Sequence, residues 1–180
     1  PATAGDPCQA AAAQQLLCYR AVNLSLPLIR QLGRPGILTL QDDNDSSVYA
    51  LITALNDQSA TLRVGTQTHE LPLTMLARAW RGDFATFWRT PPGYQETIAD
   101  GAGGSLVNWL ATQLASFSGQ PAPTRKRTFD DSLKAELAAF QRAQSLKGDG
   151  IAGPATYMQI NRAAGVDEPR LLGDRPLLAF

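Results

Sequence analysis

Near the C-terminal end, the stretch Phe140-Gln141-Arg142-Ala143-Gln144-Ser145-Leu146-Lys147-Gly148-Asp149-Gly150-Ile151-Ala152-Gly153-Pro154-Ala155-Thr156 leaves few folds open. Leu133, Leu137, Phe140 and Gln144 recur at i, i+4, i+7 and i+11, which draws one face of a helix. Asp130, Asp131 and Ser132 mark its start. The spacing predicts that this helix ends at the glycines. Lys147 gives a basic last turn, and Gly148-Asp149-Gly150 tolerates positive φ. Gly153-Pro154 then opens a new helix with proline at its preferred first position, and Tyr157, Ile160 and Ala164 continue its apolar face. DG between apolar residues is also a hairpin signal, but the flanks here follow a 3.6-residue period rather than alternating. Phe140 reads as core in either case, with Gln141 as a surface amide beside it.

This arrangement resembles the peptidoglycan-binding-domain-like family, a small three-helix fold whose signature reads FQ, then Leu, then DGxxGxxT. Phe140, Gln141, Leu146, Asp149, Gly150, Gly153 and Thr156 supply those letters, and Gly104, Leu106, Trp109, Leu110 and Leu114 supply the preceding helix. The resemblance covers residues 102–163. It implies recognition of cell-wall glycan or stem peptide in a shallow groove beside the DG turn, with Phe140, Gln141, Asp149, Gly150, Gly153, Pro154 and Thr156 as its peptidoglycan-binding residues, and it implies no chemistry.

The rest of the chain argues against several other classes. Basic and acidic residues number 16 each, and no large cluster of either sign exists. Nucleic acid is therefore not an expected partner, since phosphate binding needs gathered Lys and Arg. The one basic run, Arg125-Lys126-Arg127, sits in a proline-rich loop and reads as solvated linker. No stretch approaches the length of a transmembrane helix, and the abrupt start reads as part of something longer. No GxSxG, HExxH or GxxxxGK motif occurs, so neither a cofactor nor a metal is expected. Asp42, Asp43 and Asp45 form an acidic turn that reads as solvated loop rather than cation site.

The first half reads as α+β. Gln9 to Leu17 favours helix, and residues 22–34 form a second, with Leu24, Leu28 and Leu32 spaced by four. Strands follow at 36–40, at 48–55 with buried character on both faces, and at 60–64, the last two paired as a hairpin. A short strand over 68–71 leads to a helix opened by Pro72 and carrying Leu73, Leu76 and Trp80, and a strand over 83–89 closes the sheet. This order resembles the bacteriocin-processing cysteine peptidases, a papain-like fold, over residues 8–92. Thiol proteolysis needs a thiolate, a neighbouring imidazole and an orienting carboxylate or amide. Cys8 is followed by Gln9 and Cys18 by Tyr19 rather than by the family's Gly-Pro. Ser46-Ser47-Val48-Tyr49 stands where the family's histidine belongs, and Arg63-Val64-Gly65 where its aspartate belongs. No catalytic residue is assigned. The sole histidine, His69, lies elsewhere and reads as a surface residue.

A degenerate C39-peptidase-like domain (1–95), a peptidoglycan-binding domain (102–165) and a C-terminal tail (166–180) together resemble the periplasmic region of the general secretion pathway protein A family of type II secretion. That resemblance implies a non-catalytic periplasmic module of a single-pass inner-membrane protein. Its partners would be peptidoglycan, secretion pathway protein B and the outer-membrane secretin, whose assembly it supports; a homo-oligomer stays open. The extracytoplasmic compartment also implies a disulfide between Cys8 and Cys18. A straight helix between them would hold them about 15 Å apart, so a bond requires the helix to stop short, and two buried thiols are the alternative. The competing function is a wall-targeted cysteine peptidase whose nucleophile is Cys8 or Cys18.

Overall fold

A computed structural model of the chain describes residues 11, 12, 14, 16–41 and 46–173. Cys8, Asp42, Asp43, Asp45 and residues 174–180 lie outside the described residues. The chain divides into two compact units, one made of residues 1–88 and 168–180, the other of residues 89–167. The architecture is α+β, as the sequence pattern predicts.

Among the described residues, the first unit comprises β1 (Leu16–Ala21), α1 (Leu26–Leu32), β2 (Gly36–Gln41), β3 (Ser47–Leu55), β4 (Ser59–Val64), β5 (Gln67–Pro72), α2 (Leu73–Ala79) and all but the last residue of β6 (Trp80–Arg89). The strands form one sheet in the order β1-β6-β2-β3-β4-β5, antiparallel at β6–β2, β2–β3, β3–β4 and β4–β5. Strict alternation buries Trp80, Phe84, Thr86 and Trp88 of β6 on one face. Leu38, Ala50, Ile52, Leu55 and Leu62 join that core, and Ile29 and Leu32 of α1 and Leu76 of α2 are buried as well. The register of β3 against β4 shifts between Ile52 and Ala54. This bulge turns Leu55 to the same buried side as Ile52 although they are three residues apart.

Three sequence expectations fail locally. Leu16 and Leu17 are strand, not helix: pairing with β6 in the sheet overrides the helix propensity of the alanine-rich run before them. β3 is buried on one face only, and Tyr49 is 70% exposed. Trp80 leaves the helix and begins β6, where its indole N–H donates to the Asp83 carbonyl at 2.8 Å.

The expected tail is also part of the first unit. Leu171 N–H donates to the Gly33 carbonyl at 3.0 Å, and Leu172 N–H to the Thr53 carbonyl at 2.9 Å. Leu55 N–H returns a bond to the Leu172 carbonyl at 3.0 Å, so Leu172 bridges Ala54 in parallel. Glu168, with its side chain 2% exposed, pairs with the equally buried Arg34, whose guanidinium also donates to the Phe87 carbonyl at 2.7 Å. The second unit is thus inserted, in sequence, between two segments of the first.

The second unit holds α3 (Ser105–Phe117), α4 (Asp131–Ala143) and α5 (Pro154–Ala163). Asp130 caps α4, its carboxylate accepting from Leu133 N–H at 2.9 Å. Leu106, Leu110, Leu114, Leu133, Leu137, Phe140, Tyr157 and Ile160 are buried at helical spacing. Backbone bonds from Phe129 N–H to Ala102 O (2.8 Å) and from Gly101 N–H to Phe129 O (3.0 Å) tie the loop before α4 to the segment before α3. α4 stops at Ala143, earlier than the glycines predict. Ser145 takes φ 56°, while Leu146 N–H bonds Gln141 O at 2.8 Å and Ser145 N–H bonds Arg142 O at 3.0 Å. These are the two bonds of a Schellman closure, with serine in the place usually given to glycine.

Candidate functional site

The corner between α4 and α5 is built around one side chain. Gln141, on the last turn of α4, is 2% exposed rather than a surface amide. Its amide nitrogen lies 2.8 Å from the Ile151 carbonyl, 3.1 Å from Thr156 Oγ1 and 3.3 Å from Asp149 Oδ1, and its oxygen accepts from Gly150 N–H at 2.9 Å. Two amide hydrogens serve three acceptors, so the longest contact is shared. The side chain thereby replaces a missing strand or helix partner for the turn, and its burial is fully compensated.

Each neighbour has a physical reason for its identity. Asp149 is short enough for Oδ1 to accept from Ile151 N–H at 3.0 Å, an Asx turn. That bond, with help from Lys147 Nζ 3.4 Å from Oδ2, holds its carboxyl below the ordinary value. Gly150 sits at φ +70°, which favours glycine, and a Cβ there would also crowd the Lys134 carbonyl at 3.0 Å. Thr156 is buried and receives the Gln141 amide, while Pro154 opens α5. Phe140 is buried edge-on to Phe117, with ring centroids 4.8 Å apart at 81°.

Gly153 differs from the others. Its backbone, φ −92° and ψ 175°, suits any residue, and a Cβ there would meet nothing within 4 Å. Neither conformation nor packing explains the missing side chain. Around it the corner presents Ile151, 63% exposed, and the ends of Lys147 and Asp149. Sequence reasoning passed over Ile151 and Lys147, because an apolar residue after DG reads as core and a lysine before it reads as a helix end.

The first unit brings no thiol and imidazole together among the described residues. Cys18 lies on β1 and is no free thiol, while His69 is exposed on β5 opposite Leu62. β1 and β5 are the two edges of the sheet, five strand spacings apart, or about 24 Å. Ser47, Val48 and Tyr49, where a peptidase histidine belongs, are exposed and pair with Gln41, Leu40 and Thr39. No helix among the described residues is long and apolar enough to cross a membrane.

Residues 103–160 match the family described as "Putative peptidoglycan binding domain". The chain is 35% identical over 147 residues to general secretion pathway protein A of Aeromonas hydrophila, covering 82% of this chain and 27% of that relative. It therefore spans only about a quarter of that relative's length. Among solved structures, a periplasmic domain of the EpsAB fusion protein of the Vibrio vulnificus type II secretion system matches at TM-score 0.57 and 26% identity, covering 86% of this chain and 68% of the other. A more distant likeness, at TM-score 0.37 and 20% identity over 46% of this chain and 66% of the other, is to the N-terminal peptidase C39 like domain of the toxin secretion ATP-binding protein from Vibrio parahaemolyticus. With a helical unit bearing the complete DG corner and a sheet unit preceding it, the chain is similar, over the span it covers, to a periplasmic region of general secretion pathway protein A.

Proposed function

We propose that this chain is a non-catalytic periplasmic module that holds peptidoglycan through its 89–167 unit. The single observation that carries the reading is the corner itself. Phe140, Gln141, Gly150 and Thr156 are spent on rigidity, which leaves open space over the Gly153 Cα beside Ile151, Lys147 and Asp149. A pre-formed surface of this kind lets a ligand lie close against the backbone without an ordering cost. In this reading the buried signature residues shape the contact surface, and Asp149, Gly153 and Pro154 border it. The first unit serves as a scaffold and partner-binding surface. By kinship with the relatives above, the whole protein is anchored in the inner membrane and acts with secretion pathway protein B to help the secretin assemble across the wall.

Co-sedimentation with purified sacculi tests the reading. The parent chain pellets with sacculi, whereas Gly153→Ser keeps its melting temperature, since serine is a good N-cap, and loses most of its pelleting. A parent chain that stays in the supernatant ends the proposal; a serine variant that pellets normally moves the contact surface away from this corner.

The peptidase alternative has less support. Its two described candidates, Cys18 and His69, stand on opposite sheet edges, and Cys18 is no free thiol. Hydrolysis of isolated muropeptides by the parent chain, abolished by Cys8→Ser, would reinstate it.

A further inference from the structure

A second feature of the helical unit is a hollow of about 90 Å³ floored by Phe140, Leu114 and Ile160 and rimmed by Gln113, Ser116 and Phe117. A hollow of this size has room for several water molecules, and so for a small uncharged group. No charged side chain lines it. Phe117 is 43% exposed although it ends a helix whose other large apolar residues face inward. No hydrogen bond among the described residues engages the side chain of Gln113 or Ser116.

From these observations we infer that the hollow is a subsite for the acetamido group of an N-acetylated sugar. The inference rests on the wall-binding reading above and selects the glycan, not the stem peptide, as what this hollow engages. The acetamido group is neutral, and its methyl fits an apolar floor. Its carbonyl and N–H find a donor and an acceptor in the Gln113 amide and the Ser116 hydroxyl. The open ring of Phe117 offers the sugar's C–H face an apolar platform. A stem peptide would bring carboxylates and an ammonium to a site with no opposite charge to receive them.

The test uses the full chain and two defined probes, tri-N-acetylchitotriose and the same trisaccharide without its acetyl groups, followed by NMR. The acetylated sugar shifts the Phe117 ring and Ser116 resonances, and the deacetylated sugar binds at least tenfold more weakly. Ala163→Leu, which places an isobutyl group at the exposed mouth of the hollow, removes the response while its melting temperature stays near the parent's. If the parent pellets with sacculi but neither sugar moves these resonances, the subsite is wrong and the wall-binding reading survives. Equal binding of the two sugars, or an unchanged response in Ala163→Leu, also overturns the subsite. Failure to pellet in the first place removes both.

Discussion

The polar groups that close the two units, Gln141 in one and the Arg34–Glu168 pair in the other, are opposite in kind. The helical unit uses a neutral amide, Gln141, whose partners all lie within 15 residues of it. The sheet unit uses a charged pair, Arg34 and Glu168, separated by 134 residues. A neutral amide loses little on leaving water once its bonds are made, so the corner gains rigidity at low risk. An ion pair pays heavily for desolvation and recovers it only while both members are present. Burial indeed depresses the Arg34 pKa, and the nearby Glu168 carboxylate opposes the shift. The corner is therefore locally self-sufficient, whereas the sheet unit depends on a segment that returns only after the whole helical unit has been threaded.

Substitutions can break this contrast. Glu168→Ala leaves a buried guanidinium without its counter-charge and destabilises the sheet unit by about 3–5 kcal/mol in urea unfolding. Pairing it with Arg34→Met recovers much of that loss; if the double variant is as unstable as the single, the ion pair is not what holds the segment. Gln141→Ala strips the buried Gly150 N–H of its partner, takes from the Ile151 carbonyl one of its two donors, and costs about 2–4 kcal/mol. That loss is confined to the helical unit, which hydrogen exchange at the amides of α4 and α5 can follow; uniform loss of protection in both units would refute local self-sufficiency.

The smallest expected effect is on pH. The folded Asp149 carboxyl titrates below its unfolded value of 3.8, so its contribution is fully present above that value and is lost as the pH falls through and below it. Between pH 5 and pH 2 the parent's melting temperature therefore falls further than that of Asp149→Asn. Parallel curves would mean that the Ile151 N–H bond to Asp149 is not sensitive to charge.

The same contrast decides what could be read from the letters alone. The corner was legible because helix period, cap and turn chemistry all act over a few residues, from Asp130 to Thr156. The alternation of β6 was legible for the same reason. The buried role of Gln141 escaped, because its nearest sequence neighbours give no hint that the turn folds over it, and so did the early helix end at Ala143 and the exposure of Ile151. The sheet unit hid more. Leu16 and Leu17 follow a run of alanines and are strand only because β6 lies beside β1. Nothing near Glu168 announces Arg34, and nothing near Leu172 announces the free backbone edge at Thr53 and Leu55. Gly153 is a subtler case: it reads as a helix-opening glycine, and only the empty space around its Cα separates it from Gly150.

The return of residues 168–173 to the sheet gives the helical unit two covalent moorings instead of one. A load applied to it by a rigid polymer divides between the end of β6 and the Leu171–Leu172 segment, so neither peptide strand carries the whole pull. Shortening the chain just after α5 would do more than shed an ornament: it would cut one mooring and withdraw from the larger unit the carboxylate and the backbone bonds that finish its own fold.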